Sequence, residues 1–505
     1  MTQTTDGAHV VIRHVSTVAL MLASLLPAGK TQAALRGDIH EDTVWEGVVR
    51  ITADVTISGA TVRVMPGTRI IFDKPATLGT DPLILLNSPV MLYSRVGRTA
   101  RLVLAGTPKQ PIIIETASGK LRGAIVAGRS TSASVFARHV IFRNLGGGGG
   151  HGLAKPAFHA YLGGDQDDFW LSDCVFEDSG PLDIQAHSAS STVHIARCSF
   201  VRTAGNCSLS VMGASLGPNV ITANRADAVL RIGCSQTLIS ENILVGPTAG
   251  LRLPGSTIEA VNVTGNYVHC TSLSQWGSSA LVCDAPGVLL KDNVLRGGTY
   301  VVQGSPATVT GNVLVAADNA VATTKINAAG RGTTVSILAN CPPETVLTDN
   351  LFVGGAKASL MPGRLPENLQ VIHNVFDGWR NASRAIEFHA VPHRSTGAVI
   401  ERNTFVRFHL APVSDAAGRP GTVLRASNNL FVECPTPAYE NVAGLSDFAP
   451  GDTHIEQWEK WGGRTMTSAA WADEIEQLLL AGSITPAEAR LRWFEAYRPA
   501  TASHD

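Results

Sequence analysis

The stretch FHAYLGGDQDDFW (residues 158–170) is the densest chemical neighbourhood in the chain. It sets two proton-transfer groups, His159 and Tyr161, ahead of three carboxylates, Asp165, Asp167 and Asp168. A histidine and a tyrosine two positions apart suit general base and general acid work. Clustered carboxylates suit a hard cation, and Ca2+ is the cofactor such a cluster would take. Two arginines, Arg231 in VLRIG and Arg252 in GLRLP, offer planar forks for a carboxylate. Asp183 in PLDIQ and Ser210 in SLSVM add polar groups for substrate binding.

These side chains sit in short segments of alternating character, so the elements that must position them are strands. With the flanking apolar residues turned inward, the outward column runs Asp183, Ser210, Arg231, Arg252, Val282, Val301 and later Glu387. On adjacent strands Arg231 and Arg252 become neighbours, and Asp183 lies two strands, or ~10 Å, from Arg231. The preceding loop LGGGGGHGLAKP (residues 145–156) is long enough to fold over such a face as a lid. A plainer reading remains open: the arginines keep a long sheet edge soluble, DQDD is an acidic turn, and His269, His373 and His389 are structural or surface residues.

Strands this short need a repeat to build a core. An asparagine follows an apolar strand again and again, at Asn224, Asn242, Asn266, Asn293, Asn312, Asn350, Asn374, Asn403 and Asn429, and the same slot holds Cys174 and Cys198 upstream. The step from Asn312 to Asn350 is the longest, either two short turns or one turn with a long loop. Each unit has a short alternating strand, a second apolar strand, the Asn and a third short strand; stacking units at ~4.8 Å buries their inward side chains in one column. Asn tolerates turns and its amide both donates and accepts, so the series reads as a ladder rather than as catalytic residues.

This series resembles the right-handed parallel β-helix superfamily, which includes pectate-lyase-like enzymes, over about Leu35 to Ala449. The resemblance implies an all-β right-handed parallel β-helix. It leaves function wide, because the fold hosts lyases, hydrolases, epimerases, adhesins and proteins with no known activity. Uronate lyases of the superfamily neutralise the substrate carboxylate with Ca2+ or arginine, remove the neighbouring carbon-bound proton and assist departure of the glycosidic oxygen. Carried onto this chain, that scheme makes His159 the base, Tyr161 the acid, Arg231 and Arg252 the carboxylate binders, and Asp165, Asp167 and Asp168 the Ca2+ ligands. A polysaccharide, acidic in kind, is then the expected partner, and a non-catalytic glycan-binding or cell-surface scaffold is the alternative. A glycoside hydrolase would need two carboxylates some 5 to 9.5 Å apart, for which Asp183 with Asp167 or Asp168 are the candidates. The polygalacturonase-like order of paired Asp, GHG and RIK is not followed: GHG (residues 150–152) precedes the acids, and Arg231-Ile232 is followed by Gly233.

Composition agrees with strands and turns: charged residues make up 16% and there are 49 glycines. A formal net charge of -1 gives no global pull toward nucleic acid or anionic lipid. Arg13 and His14, the apolar run at residues 15–26 and the small residues Thr31 and Ala33 read as a signal peptide over residues 1–33, with a buried helix or membrane anchor as the other reading. Export to the periplasm, cell surface or medium is thus expected, as a monomer with no membrane span in the mature chain. Of the eight cysteines, Cys270 and Cys283 flank one loop and are the disulfide candidates; no Cys/His zinc spacing occurs. Residues 34–450 are assigned to the β-helix and residues 451–505 to a helical tail. In that tail Ile475, Leu478 and Leu479 share a face that ends at Gly482, and Thr485, Pro486 and Glu488 start a second helix with Leu491 and Phe494 as its apolar face. The hairpin is expected to cover the last coil and block edge-to-edge association.

Overall fold

The computed structural model describes residues 33–73, 90–93, 99–117, 125–127, 133–146, 156–163, 167–203, 207–213, 217–255, 258–271, 279–285, 287–297, 300–304, 306–316, 336–339, 344–354, 358–361, 368–378, 384–388, 396–415, 423–442, 445, 447–457 and 469–497. Residues 1–32, which hold most of the expected signal peptide, residues 147–155 of the glycine-rich loop, Asp165 and His389 lie outside these residues.

Each coil carries a leading, a middle and a trailing strand, for example Leu182–Ala186, Thr192–Ala196 and Ser199–Val201. Each pairs in parallel with its counterpart one coil on: Asp183 with Ser210, Ile195 with Ile221, Phe200 with Ala226. Among the described residues the middle strands form a sheet of 15 strands. Leading and trailing strands merge into one of 31 because the long strand Val48–Ser58 pairs with both columns. The architecture is a parallel β-helix, and Asn312 pairs directly with Asn350, so the long step is one coil with a long loop. Inward side chains stack in files, as in Phe142–Phe176–Phe200 (4.5 and 4.9 Å) and Phe352–Phe376–Phe405–Phe431 (4.6, 5.3 and 5.0 Å). Each stacked pair adds about 0.5–1.5 kcal/mol beyond its burial.

The corners are held by the asparagine amides. From Asn224 to Asn429 every Nδ2 donates to the Oδ1 of the next Asn at 2.9–3.2 Å. The same Oδ1 accepts the backbone N–H of the Asn before it. Nδ2 also donates to a middle-strand carbonyl, Ile221 O for Asn242 and Val263 O for Asn293. The ladder begins where Cys198 N donates to Asn224 Oδ1 and ends on Asp452, whose Oδ1 accepts Asn429 N and Nδ2 while Oδ2 accepts Tyr439 OH and Ala449 N. The turn itself is made one residue earlier than expected. The residue before each Asn is left-handed, as in Glu241 (φ 56°), Asp292 (φ 56°) and Arg402 (φ 54°), and glycine fills that place at Gly265 and Gly311.

The C-terminal helices α1 (Ala469–Leu480) and α2 (Pro486–Ala496) form the expected hairpin, with Thr485 in a capping box with Glu488 and Gly482 left-handed after α1. Its position differs from expectation. The hairpin lies along the outer flank of the trailing strands, where Ile475, Leu479, Ala489 and Trp493 bury against Tyr267, Val294, Val313 and Leu351. Those strands carry apolar residues on both faces and so need a cover. Trp493, not Leu491, faces the solenoid; Leu491 is exposed. A buried polar clasp fixes the docking: Glu476 Oε2 accepts Tyr267 OH (2.8 Å) and Arg296 (3.3 Å) and meets His269 Nδ1 (2.6 Å). At the far end Tyr497 OH donates to the buried Asp377, which also pairs with Arg407.

Asn293 is fully buried, and Asn293→Ala strips partners from Asn266 N–H, Asn266 Nδ2 and Val263 O. The expected loss is ~2–4 kcal/mol, read from the urea midpoint; a change below ~0.5 kcal/mol would mean that water replaces the amide. Burial raises the Glu476 pKa, but the hydrogen bond and charge of His269, with Arg296 and Tyr267, outweigh it and hold the carboxyl below its usual range. A depressed carboxylate stabilises docking above its unfolded value of ~4.3 and loses that contribution as pH falls below it. Acid titration of tryptophan emission should therefore show undocking of the hairpin, and Glu476→Gln should remove that acid step. Identical titration curves for the two proteins would exclude the clasp as its cause.

Candidate functional site

Alternation in FHAYL fixes the site locally: Phe158, Ala160 and Leu162 are fully buried, which turns His159 and Tyr161 outward on one leading strand. Two residues of strand separate them by ~7 Å. Register places His159 beside Asp183 and Tyr161 beside Gln185 on the next coil. His159 Nδ1 lies 2.9 Å from Asp183 Oδ2. Gln185 Nε2 donates to Asp183 Oδ1 at 3.0 Å, and the Ser210 hydroxyl donates to the same carboxylate. Burial raises the Asp183 pKa, but these bonds and the His159 charge outweigh it, so the carboxyl stays below its ordinary range. An ionised Asp183 accepts the Nδ1 proton, which assigns the proton-accepting lone pair of neutral His159 to Nε2. Asp183 is therefore engaged with His159 and Gln185 rather than standing open to substrate. Tyr161 stacks on His187 at 4.5 Å between ring centroids.

The same outward row continues through Ser210, Arg231, Arg252, Val282 and Gln303. Arg231 and Arg252 are on adjacent coils, as the alternation implies. Val301 is buried, and the row passes instead through Gln303, two residues on. Much farther along stand Glu387, Ser414 and Glu440. Arg231 lies three coil steps from His159 and Arg252 four. At the usual strand spacing that is ~14 and ~19 Å, too far for the arginines and His159 to grip one sugar residue. The row is a ladder of groups rather than a cluster.

Of the carboxylates after Tyr161, Asp165 lies outside the described residues. Asp167 is fully buried, whereas Asp168 opens the middle strand Asp168–Ser172 and accepts a bond from Thr192 Oγ1. The two carboxylates therefore sit in different surroundings, one shut inside ahead of the strand and the other bonded at its start. Among the described residues no three acids, histidines or cysteines are grouped to hold a metal. Cys207 adjoins Asp183, but burial and that charge push its thiol up to about 11, so it stays protonated near neutral pH and is no nucleophile. The expected disulfide is not formed. Cys270 and Cys283 close strands of different columns, trailing and leading, and their thiols donate to Pro247 O and Ala285 O.

Gln185 and His187 were not singled out by residue type. Alignment of PLDIQAH on FHAYL, position for position, is the signal that finds them.

Fold and row together define a parallel β-helix protein with a polar, partly basic strip on its leading-strand face. No family model matches the chain, and no curated protein matches it. Among solved structures it is similar to a mannuronic acid specific polysaccharide family 6 lyase from human gut microbiota, at 11% identity and a TM-score of 0.30 over 80% of this chain and 92% of that one. It is also similar to the A-module of a mannuronan C-5 epimerase of Azotobacter vinelandii, at 12% identity and a TM-score of 0.30 over 78% and 90%. The β-helix assignment rests on the strand register described above, and no site residue is inferred from these similarities.

Proposed function

We propose that this chain is an exported protein that cleaves an acidic polysaccharide by β-elimination. The observation that carries the reading is the His159–Asp183 pair, set on an outward row beside Tyr161 and in line with two arginines. Asp183 orients the imidazole and holds the Nδ1 proton. His159 Nε2 then takes the carbon-bound proton next to a uronate carboxylate, and the Tyr161 hydroxyl delivers a proton to the departing glycosidic oxygen. The C–O bond breaks as a carbon–carbon double bond forms, which leaves an unsaturated sugar end. Arg231 and Arg252 supply positive field and hold the polyanion. A second reading, a glycan-binding β-helix without catalysis, is favoured by one feature: the arginines are strung along the row instead of converging on His159.

Incubation with a panel of uronate and neutral polysaccharides, with and without Ca2+, separates the two by the absorbance of the unsaturated product. At least one polyuronate should yield it, and His159→Ala should slow the reaction by roughly a hundredfold or more. Binding without product from any polyuronate would leave the scaffold reading, and reducing ends without unsaturation would point to hydrolysis.

A further inference from the structure

We infer that the site takes an extended polyanionic chain, and that Arg231 and Arg252 bind sugar residues about three and four places away from the bond that is broken. This rests on the reading of His159 as the reacting end. The coil pitch acts as a ruler: one strand spacing is ~4.8 Å, close to the advance of one linked pyranose, so a glycan lying along the row meets one coil per sugar. From His159 the coils present Asp183, Ser210, Arg231 and Arg252 in that order. The first two coils offer no cation, since Asp183 and Ser210 are bonded to each other and Asp183 to His159. Among the described residues of the row, the first arginine a chain would meet is therefore three coils out.

Charge also limits the chain at its other end. Beyond Arg252 the row turns uncharged at Val282 and Gln303, and the next acid on it, Glu387, five coil steps past Arg252, is buried. Glu440 follows two coils later and is paired with Arg384. A polyanion is attracted at Arg231 and Arg252 and meets no cation at the next two row positions, so the favourable stretch of the row lies between His159 and Arg252. Short oligomers that end before Arg231 gain nothing from it. A chain long enough to reach both arginines gains charge-assisted hydrogen bonds to its carboxylates.

The test uses the full chain and oligouronates of defined length, from two to about eight sugars, of the polymer that gives product. We expect kcat/KM to rise about tenfold or more as length passes about four or five sugars, the size that spans the row to Arg231 and Arg252. That step should vanish in the R231Q R252Q double variant and shrink in the unaltered protein at ~0.5 M salt, where surface charge is screened. A flat length profile, or a step that survives in the double variant and in high salt, overturns the inference. If no oligomer of any length gives unsaturated product, the catalytic reading fails, and the same oligomers are then scored by dissociation constant. A step in affinity at the same length, lost in the double variant, keeps the subsite assignment, and affinities independent of length reject it.

Discussion

One buried amide per coil carries this fold. Each coil must close through a corner whose backbone groups are shut away from water, and an unpaired group there costs about 1–3 kcal/mol. The asparagine side chain accepts the N–H of one coil and donates to a carbonyl and to the next amide, so a single residue type satisfies the corner and sets the stacking distance. Because the amides touch, the coils cannot slip. Leading, middle and trailing strands inherit the same register, and so does the row from His159 to Arg252.

The amides also offset a cost next to them. A left-handed residue precedes each Asn, and most of these are not glycine: Ala223, Glu241, Asp292, Asp349, His373, Arg402 and Asn428 all adopt it. An isolated L-residue there loses roughly 1–2 kcal/mol. This is why the asparagines were legible in the sequence while the turn was not: a recurrent side chain leaves a mark, but a backbone conformation adopted by six residue types leaves none. Only Gly265 and Gly311, in VTGN, betray it.

Other features divide along the same line. The outward row could be read wherever one apolar residue alternated with one polar residue, which carried it from Asp183 to Arg252. It lost its place at YVVQG, where Val301 and Val302 are both buried and parity is hidden. The site chemistry was legible as residue types, and partnership was not: His159 and Asp183 are 24 residues apart and meet only through register. The hairpin was legible from its caps and apolar spacing, but its berth depended on reading the trailing strands differently. YVHC, VLRG and LFV carry apolar residues on both faces, and a strand of that kind announces a second covering layer.

The residue at the end of the ladder has a meaning of its own. Amide-to-amide bonding is directional, since every Nδ2 hands its hydrogen forward, and such a series has to finish on a group that receives and has nothing to pass on. Asp452 is that group: its two oxygens take four hydrogen bonds from Asn429, Tyr439 and Ala449, and burial, together with its charge, pushes the Tyr439 phenol upward. The exchange of an NH2 for an oxygen thus works as punctuation, an end-of-message sign in a solenoid whose grammar would otherwise allow another line.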